Sequence, residues 1–186
     1  MKTIWKPGTM IYPVPAVLVT CGDSPENYNI ITIAWTGTIC SEPAMSYISI
    51  RPSRHSYEII KRTKEFVINL TTERLAKATD FCGVKSGRDI DKFKHLKLTP
   101  EPATKVKAPL IAESPLNIEC QVTDLIPLGS HDMFIAKVLC IHADKDYLDK
   151  HGAFMFSKTK PIAYVHGKYY SLGKELGHFG YSARKK

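Results

Sequence analysis

The fold class follows from two consecutive runs, Ile118-Glu-Cys-Gln-Val-Thr-Asp-Leu-Ile126 and Met133-Phe-Ile-Ala-Lys-Val-Leu-Cys-Ile-His142. Both runs are long and rich in apolar and β-branched residues, and a turn through Pro127-Leu-Gly-Ser130 separates them. Runs of this kind joined by a short turn are typical of neighbouring strands. The middle of the chain is therefore predicted to form two adjacent antiparallel strands.

Shorter elements surround this pair. The apolar pattern predicts strands over residues 14–20, 29–36, 44–50 and 66–70, with 29–36 as the hairpin partner of 14–20, and helices over residues 56–63 and 72–82. Ser53 or Ser56 is expected to cap the first helix, and Gly83 to end the second. About six or seven short strands with two or three helices and no alternating βαβ order favour a mainly β fold, a closed or partly open antiparallel barrel.

The composition is that of a single globular domain. The chain has 186 residues, 44% of them hydrophobic, so residues 1–186 are expected to form one core. Its apolar runs are too short to cross a membrane, and the start has no secretory signal pattern, so we expect a cytoplasmic protein without a membrane partner. The five cysteines show no CxxC or His-rich spacing, which predicts free buried thiols and no metal site, with Cys40 and Cys82 left open as redox candidates.

The net charge of +8 admits a nucleic-acid partner, but basic residues are spread along the chain apart from the tail Ala183-Arg-Lys-Lys186. Attraction for an anionic nucleotide is the simpler interpretation, and we expect no nucleic acid to bind. Hydrolytic motifs such as GxSxG and HExxH are missing from the sequence, and so is the GxGxxG turn of a Rossmann fold.

Two segments carry the candidate chemistry. Asn29-Ile-Ile-Thr-Ile-Ala-Trp-Thr36 alternates small polar and apolar residues and ends near a tryptophan, which suits a flat heterocycle, although a barrel strand with a core tryptophan explains it equally well. Arg51-Pro-Ser-Arg-His-Ser56 precedes a predicted helix and suits a phosphate group. A capping serine beside solvated arginines is an equally common reason for the second segment.

In this order, Asn-x-x-Thr-x-Ala-Trp and Arg-Pro-Ser-Arg-x-Ser resemble the FMN-binding core of the flavin reductase-like split barrels, and of their flavoredoxin branch in particular. Three later segments resemble the same family: Gly87-Arg-Asp-Ile-Asp-Lys-Phe93, Leu128-Gly-Ser-His-Asp-Met-Phe-Ile-Ala-Lys-Val138, and the pair Tyr169-Tyr-Ser-Leu-Gly173 and Gly177-His-Phe-Gly-Tyr181. Ser130 stands where many flavin reductases have aspartate. The resemblance implies an FMN-binding split barrel along nearly the whole chain.

The resemblance also implies roles for individual residues. The side chains of Asn29 and Trp35 and the backbone of Ala34 and Thr36 are expected around the isoalloxazine ring, with Tyr164 as a stacking aromatic. Thr32 is expected among the cofactor-binding residues. Those expected around the phosphate and ribityl chain are Arg51, Ser53, Arg54 and Ser56. Lys92 is expected near the ring or the phosphate, and His131 beside the ring, as a donor to its rim or as the candidate catalytic group near an incoming hydride.

Two activities are compatible with this resemblance. One is a flavoredoxin-type carrier that keeps its non-covalent FMN and exchanges electrons with a redox partner protein. The other is an NAD(P)H-dependent flavin oxidoreductase that supplies reduced flavin. A basic nucleic-acid-binding barrel is a remote third alternative. Family resemblance further implies a homodimer with flavin sites near the subunit interface.

Overall fold

A computed structural model describes residues 1–183 as a mainly β structure with a few helices, and the end of the predicted basic tail, residues 184–186, lies outside the described residues. The strands are β1 (Val14–Pro15), β2 (Val17–Cys21), β3 (Asn29–Ile33), β4 (Thr36–Cys40), β5 (Met45–Ile50), β6 (Glu65–Asn69), β7 (Pro100–Glu101), β8 (Leu110–Ile111), β9 (Leu116–Pro127), β10 (Asp132–Ala143), β11 (Ile162–Val165) and β12 (Lys168–Ser171). The α-helices are α1 (His55–Thr63), α2 (Ala76–Val84) and α3 (Lys92–Leu96). Short 3₁₀ turns cover Pro25–Asn27, Glu73–Leu75, Lys145–Tyr147 and Phe156–Thr159.

One seven-stranded antiparallel sheet forms the body of the fold, in the order β3-β2-β6-β9-β10-β5-β4. It curls into a half-barrel, which confirms the predicted barrel class. The long pair β9–β10 lies within it, in antiparallel register from Asp132 opposite Pro127 to Ala143 opposite Leu116, as predicted from the two apolar runs. A three-stranded sheet, β1-β11-β12, and the small pair β7–β8 lie beside it.

Both faces of the sheet are covered at strand β2. Val17, Val19 and Cys21 point into the largest core cluster, together with Tyr57 and Ile60 of α1. Leu18 points the other way, into a second cluster that includes residues of α2 and α3. Because successive side chains of a strand alternate between faces, a strand covered on both sides has no exposed side chain, and every residue of β2, including the polar Thr20, is buried.

The predicted strand 29–36 is wrong in one respect that matters for the site. Strand β3 ends at Ile33, the chain bends at Ala34 and Trp35, and Thr36 begins β4 at the opposite edge of the same sheet. The Ser49 N–H donates to the Trp35 carbonyl at 2.9 Å, which holds the bend against β5. Ala34 and Trp35 therefore link the two edges of the sheet across the seam of the half-barrel.

Other boundaries differ from the predictions for local reasons. Residues 14–20 divide at Ala16 into β1 and β2, which belong to different sheets. Neither Ser53 nor Ser56 caps α1, because Arg54 is the N-cap and the Ser56 hydroxyl bonds to the Asn29 side chain instead. The predicted helix 72–82 starts as a 3₁₀ turn, and α2 continues past Gly83 to Val84.

Helix α3 was not predicted at all. The Asp91 carboxylate caps it by accepting from the Lys94 N–H at 3.1 Å, and Phe93 anchors it in the core. Among residues 1–183, no helix combines the length and apolar character needed to cross a membrane.

Candidate functional site

Two adjoining cavities open near the seam, and they share Ile31 and Arg54 in their walls. The first, which we call the cationic cavity, has a volume of about 170 Å³ and is lined by Asn29, Ile31, Ser53, Arg54, His55, Ser56, Cys82, Gly83, Lys85, Ser86, Gly87, Arg88 and Lys92. The second, the aromatic cavity, has a volume of about 340 Å³ and is lined by Ile31, Thr32, Ile33, Ala34, Trp35, Ser49, Ile50, Arg51, Arg54, His131 and Tyr164.

Positive charge dominates the cationic cavity. Arg54, Lys85, Arg88 and Lys92 line it, and within residues 1–183 no carboxylate does. Hydroxyl groups of Ser53, Ser56 and Ser86 add neutral donors. Guanidinium and ammonium groups with nearby hydroxyls are the donor set that binds a phosphate dianion.

Lys92 is almost fully buried at the base of this cavity. Its Nζ donates to the Ile30 carbonyl at 2.6 Å and to the Cys82 carbonyl at 3.0 Å. Burial lowers the pKa of this lysine. An ammonium group has three N–H donors, and the described protein contacts use two of them, so one remains for an anion in the cavity.

A buried hydrogen bond joins the two segments singled out in the sequence. The Asn29 Nδ2 donates to the Ser56 Oγ at 2.7 Å, so the start of β3 is tied to the first turn of α1. Both side chains are buried, at 4% and 1% exposure, and both line the cationic cavity. The structure thus brings Asn29 to the phosphate-like side of the site rather than to the aromatic cavity where the ring was expected.

The loop after α2 completes the cationic cavity. The Arg88 Nη1 donates to the Ser53 carbonyl at 3.2 Å, which connects this loop to the segment before α1. At Gly87 a Cβ atom would overlap the Asn29 amide and lie 2.9 Å from the His55 Cδ2. The close approach of the loop to β3 therefore requires glycine at this position, and any side chain there would intrude on the cavity wall.

The aromatic cavity is built from both sides of the seam. Trp35 and Tyr164 form its aromatic wall, and Tyr12 packs against both rings at centroid distances of 6.3 Å and 6.2 Å. Strand β3 is an edge strand, and edge strands present backbone N–H and C=O groups to a ligand. An apolar slot with aromatic and backbone polar walls suits a flat heterocycle.

His131 enters the aromatic cavity at the start of β10. Burial, together with the nearby charges of Arg51 and Arg54, lowers the pKa of its imidazole, and the Ser130 hydroxyl lies 2.9 Å from its Nδ1. In the cationic cavity, burial and the charges of Arg88 and Lys92 lower the pKa of His55 in the same way. In both histidines the uncharged imidazole is therefore favoured over the protonated form.

Most of the residues expected at a site line one of the two cavities. Asn29, Ser53, Ser56 and Lys92 line the cationic cavity; Thr32, Ala34, Trp35, Arg51, His131 and Tyr164 line the aromatic cavity; Arg54 lines both. Thr36 lines neither, and its hydroxyl donates to the Tyr47 carbonyl at 2.6 Å. The Thr32 hydroxyl donates to the Thr79 carbonyl, so it also supports the fold.

Four residues of the cationic cavity with basic or hydroxyl side chains were not among the expected site residues: His55, Lys85, Ser86 and Arg88. His55 lay inside the quoted segment 51–56 without a role, and Arg88 inside the quoted segment 87–93. The run Lys85-Ser-Gly-Arg88 directly after a helix combines small and basic residues, which is a signal for anion binding. Because residues 85–88 are far from residues 51–56 along the chain, the sequence did not indicate that the two segments line one cavity.

Comparison with known proteins gives consistent findings. Residues 9–173 match the flavin reductase like domain family. The structure superposes on the flavoredoxin of Desulfovibrio vulgaris (Miyazaki F) with a TM-score of 0.91 and 30% identity, covering 99% of this chain and 100% of that one. An uncharacterised protein of Pyrococcus abyssi is 34% identical over 130 residues, 70% of this chain and 74% of its own length. An NADPH-flavin oxidoreductase of Streptomyces viridifaciens is 26% identical over 129 residues, 68% of this chain and 65% of its own length.

Proposed function

The chain belongs to the flavin reductase like domain family, and on that premise we propose that it binds FMN non-covalently and carries electrons between redox partners in the manner of a flavoredoxin. The observation that carries the proposal is the pair of adjoining cavities, one cationic and one aromatic. FMN has the same two parts in the same order, an anionic phosphate and a flat ring joined by the ribityl chain.

The choice of FMN among flavins rests on the cationic cavity. Riboflavin has no phosphate to neutralise four cationic side chains, which would leave Arg54, Lys85, Arg88 and Lys92 without a counter-charge. A terminal phosphate monoester matches the charge of this lining.

Each protein group then has a task. Arg54, Arg88 and Ser56 hold the phosphate. The buried Lys92 donates its remaining N–H to the same phosphate. Trp35 and Tyr164 bound the ring site, and the edge strand supplies backbone groups for the polar rim of the ring. When bound, FMN supplies the one-electron and two-electron redox chemistry.

His131 is the side chain of the aromatic cavity that takes up or releases a proton. Burial and the charges of Arg51 and Arg54 lower the pKa of His131, so negative charge in the cavity favours its protonated form. Lys92 lies in the wall of the cationic cavity, so its charge acts first on the phosphate.

The carrier role is favoured by the likeness to a flavoredoxin over 99% of the chain. A net charge of +8 also suits docking to an acidic redox partner. The second candidate, an NAD(P)H-dependent flavin oxidoreductase, is favoured by the likeness to the Streptomyces enzyme. Anaerobic oxidation of NADH and NADPH by the flavin-loaded protein distinguishes them, because rapid turnover with added free flavin would reject the carrier.

A homodimer is part of the proposal. The arm over residues 1–11 and the segment over residues 172–181 leave large apolar side chains uncovered within the chain, including Ile4 at 99%, Trp5 at 73% and Leu176 at 89% exposure. Large uncovered apolar side chains are typical of a protein contact surface.

The phosphate assignment is tested with Arg88→Ala and Arg54→Ala, using Arg74→Ala, an exposed arginine of the 3₁₀ turn Glu73–Leu75, as the matched control. Loss of one charged hydrogen bond to the phosphate is expected to weaken FMN binding on the order of tenfold to a hundredfold. Riboflavin binding changes little in Arg88→Ala, because Arg88 lines only the cationic cavity. Unchanged FMN affinity in both variants would overturn the phosphate assignment.

A further inference from the structure

Three side chains with metal-binding atoms meet on the β9–β10 pair, and none of them lines the cationic or the aromatic cavity. Cys140 of β10 stands directly opposite Glu119 of β9 in the register. His142 follows two residues after Cys140, on the same face of the strand. A register shift between Val138 and Cys140 precedes the group.

The ligand atoms are close enough to share one ion. The Cys140 Sγ lies 3.7 Å from the His142 Nε2, and that nitrogen lies 2.5 Å from the Glu119 Oε1. All three atoms lie within 4.8 Å of one another. In a tetrahedral zinc site, a sulfur and a nitrogen ligand are about 3.5 Å apart, so the sulfur–nitrogen spacing needs almost no adjustment.

Glu119 is held in place before any ion arrives. Its side chain is fully buried, and its two oxygens accept from the backbone N–H groups of Thr104, Lys105 and Val106 at 2.8, 2.6 and 3.0 Å. These bonds fix the carboxylate, so the His142 ring must move for Nε2 and Oε1 to separate from 2.5 Å to the roughly 3.3 Å between a nitrogen and an oxygen ligand of one tetrahedral zinc. Cys140 and His142 are half-buried, which leaves the open side of the group reachable from solvent.

We propose that Glu119, Cys140 and His142 form a Zn²⁺ site, with water as the fourth ligand. Binding forms one Zn–S, one Zn–N and one Zn–O bond. The thiol of Cys140 releases its proton to solvent. The Nε2 of His142 gives up the proton that it shares with the Glu119 carboxylate, so that its lone pair binds the metal, and the neutral ring then carries its one proton on Nδ1. No electron is transferred.

Soft sulfur and imidazole ligands with one carboxylate select zinc over magnesium or calcium. The bound ion would connect strand β9 to strand β10. Through the hydrogen bonds of Glu119 it would also connect this pair to residues 104–106. The expectation of no metal site rested on the lack of closely spaced ligands in the sequence. Strand pairing supplies the proximity here, because Glu119 and Cys140 are opposite one another although 21 positions apart by their numbers.

The test uses tag-free, FMN-loaded protein that is stripped with a chelator, dialysed against ZnCl₂ and analysed for metal. Wild type is expected to retain about one Zn²⁺ per chain. Cys140→Ser and His142→Asn should each weaken retention by roughly tenfold or more, whereas Cys40→Ser, at a half-buried cysteine of the edge strand β4, should retain the ion. Equal retention by wild type and Cys140→Ser, or none by wild type, overturns the site.

A second readout does not depend on variants. Zn²⁺ should protect Cys140 of the wild-type protein from alkylation, measured peptide by peptide by mass spectrometry, and leave the alkylation of Cys40 unchanged. Unprotected Cys140 in saturating Zn²⁺ rejects the proposal. The FMN content is recorded in the same samples, so failure of the zinc site and failure of flavin binding are separate results.

Discussion

At the residue scale, Gly87 is a position where a single added methyl group disturbs the wall of the cationic cavity. Gly87→Ala forces the new Cβ into the Asn29 amide and against the His55 ring, so either the loop 85–88 or Asn29 must move. We expect FMN affinity to fall on the order of tenfold or more, with the strand content by circular dichroism unchanged. Gly129→Ala would be a poor control, because Gly129 has a φ of +101°.

Gly173→Ala is the better control, since nothing lies within 4 Å of a Cβ at Gly173 and its backbone carries no left-handed strain. FMN affinity in Gly87→Ala equal to that of this control contradicts the proposed wall of the cationic cavity.

The two cavity histidines predict a dependence of stability on pH. Burial and neighbouring cations lower the pKa of His55 and His131 in the folded protein, so the unfolded chain takes up protons first as the pH falls. Their contribution to the stability of the flavin-free protein is therefore present above about pH 6.5 and is lost as the pH falls through the lower folded pKa values.

Denaturation midpoints of the flavin-free protein between pH 8 and pH 5 check this prediction. The double variant His55→Gln, His131→Gln should lose less stability over this range than wild type, whereas His151→Gln, at an exposed histidine, should follow wild type. Parallel curves for wild type and the double variant would contradict the assigned pKa shifts.

At the element scale, one buried bond connects α1 to the start of β10. The Tyr57 hydroxyl donates to the Asp132 Oδ2 at 2.5 Å, and this bond raises the pKa of Tyr57 to about 12. Asp132 follows His131 directly, so the bond also fixes where His131 enters the aromatic cavity. Tyr57→Phe removes the donor and leaves a buried carboxylate oxygen without it.

We expect Tyr57→Phe to lower the free energy of unfolding by about 1–3 kcal/mol, measured by urea denaturation of the flavin-free protein. Tyr28→Phe, at a half-buried tyrosine that packs near Phe93, is the control and should cost much less. A loss no greater than that of the control would mean that the Tyr57–Asp132 bond contributes little.

The elements that the sequence predicted well are those whose signal is local. The strands of residues 118–126 and 133–142 were recognised because runs of nine and ten residues, rich in apolar residues, flank a turn with proline and glycine. The segment 51–56 was recognised because its two arginines are only three positions apart. The bend at Ala34 and Trp35 contains neither glycine nor proline, so nothing local marked it. Residues 85–88 meet residues 51–56 only in the folded protein, where the loop passes close to Asn29 and His55 at Gly87. A contact between segments so far apart along the chain leaves no periodic pattern in the sequence.

At the scale of the whole molecule, the seam is the feature that turns a sheet into a binding site. Strands β3 and β4 are the two edges of the seven-stranded sheet, yet only Ala34 and Trp35 separate them along the chain. The sheet must therefore curl until its edges meet near these residues. The aromatic cavity occupies this seam, which explains why its walls come from β3, β5 and β11 together, with His131 from the turn before β10.

The exposed apolar arms predict self-association of the molecule. Sedimentation at micromolar concentration should give twice the mass of the chain, and Trp5→Ser should weaken the dimer by roughly tenfold or more, because buried tryptophans contribute strongly to protein contacts. Lys2→Ser, on the same arm, serves as the control. A single-chain mass at all concentrations would contradict the proposed homodimer.

The central claim is that the adjoining cavities hold FMN, and the most direct test is to identify the flavin that the protein carries. Purified protein is denatured by heat, and the released chromophore is separated by chromatography against FMN, FAD and riboflavin standards. The account predicts FMN at about one per chain, or, for protein isolated without flavin, reconstitution by FMN at the same ratio and much weaker binding of riboflavin. Recovery of FAD, equal affinity for riboflavin and FMN, or failure to bind any flavin would contradict it.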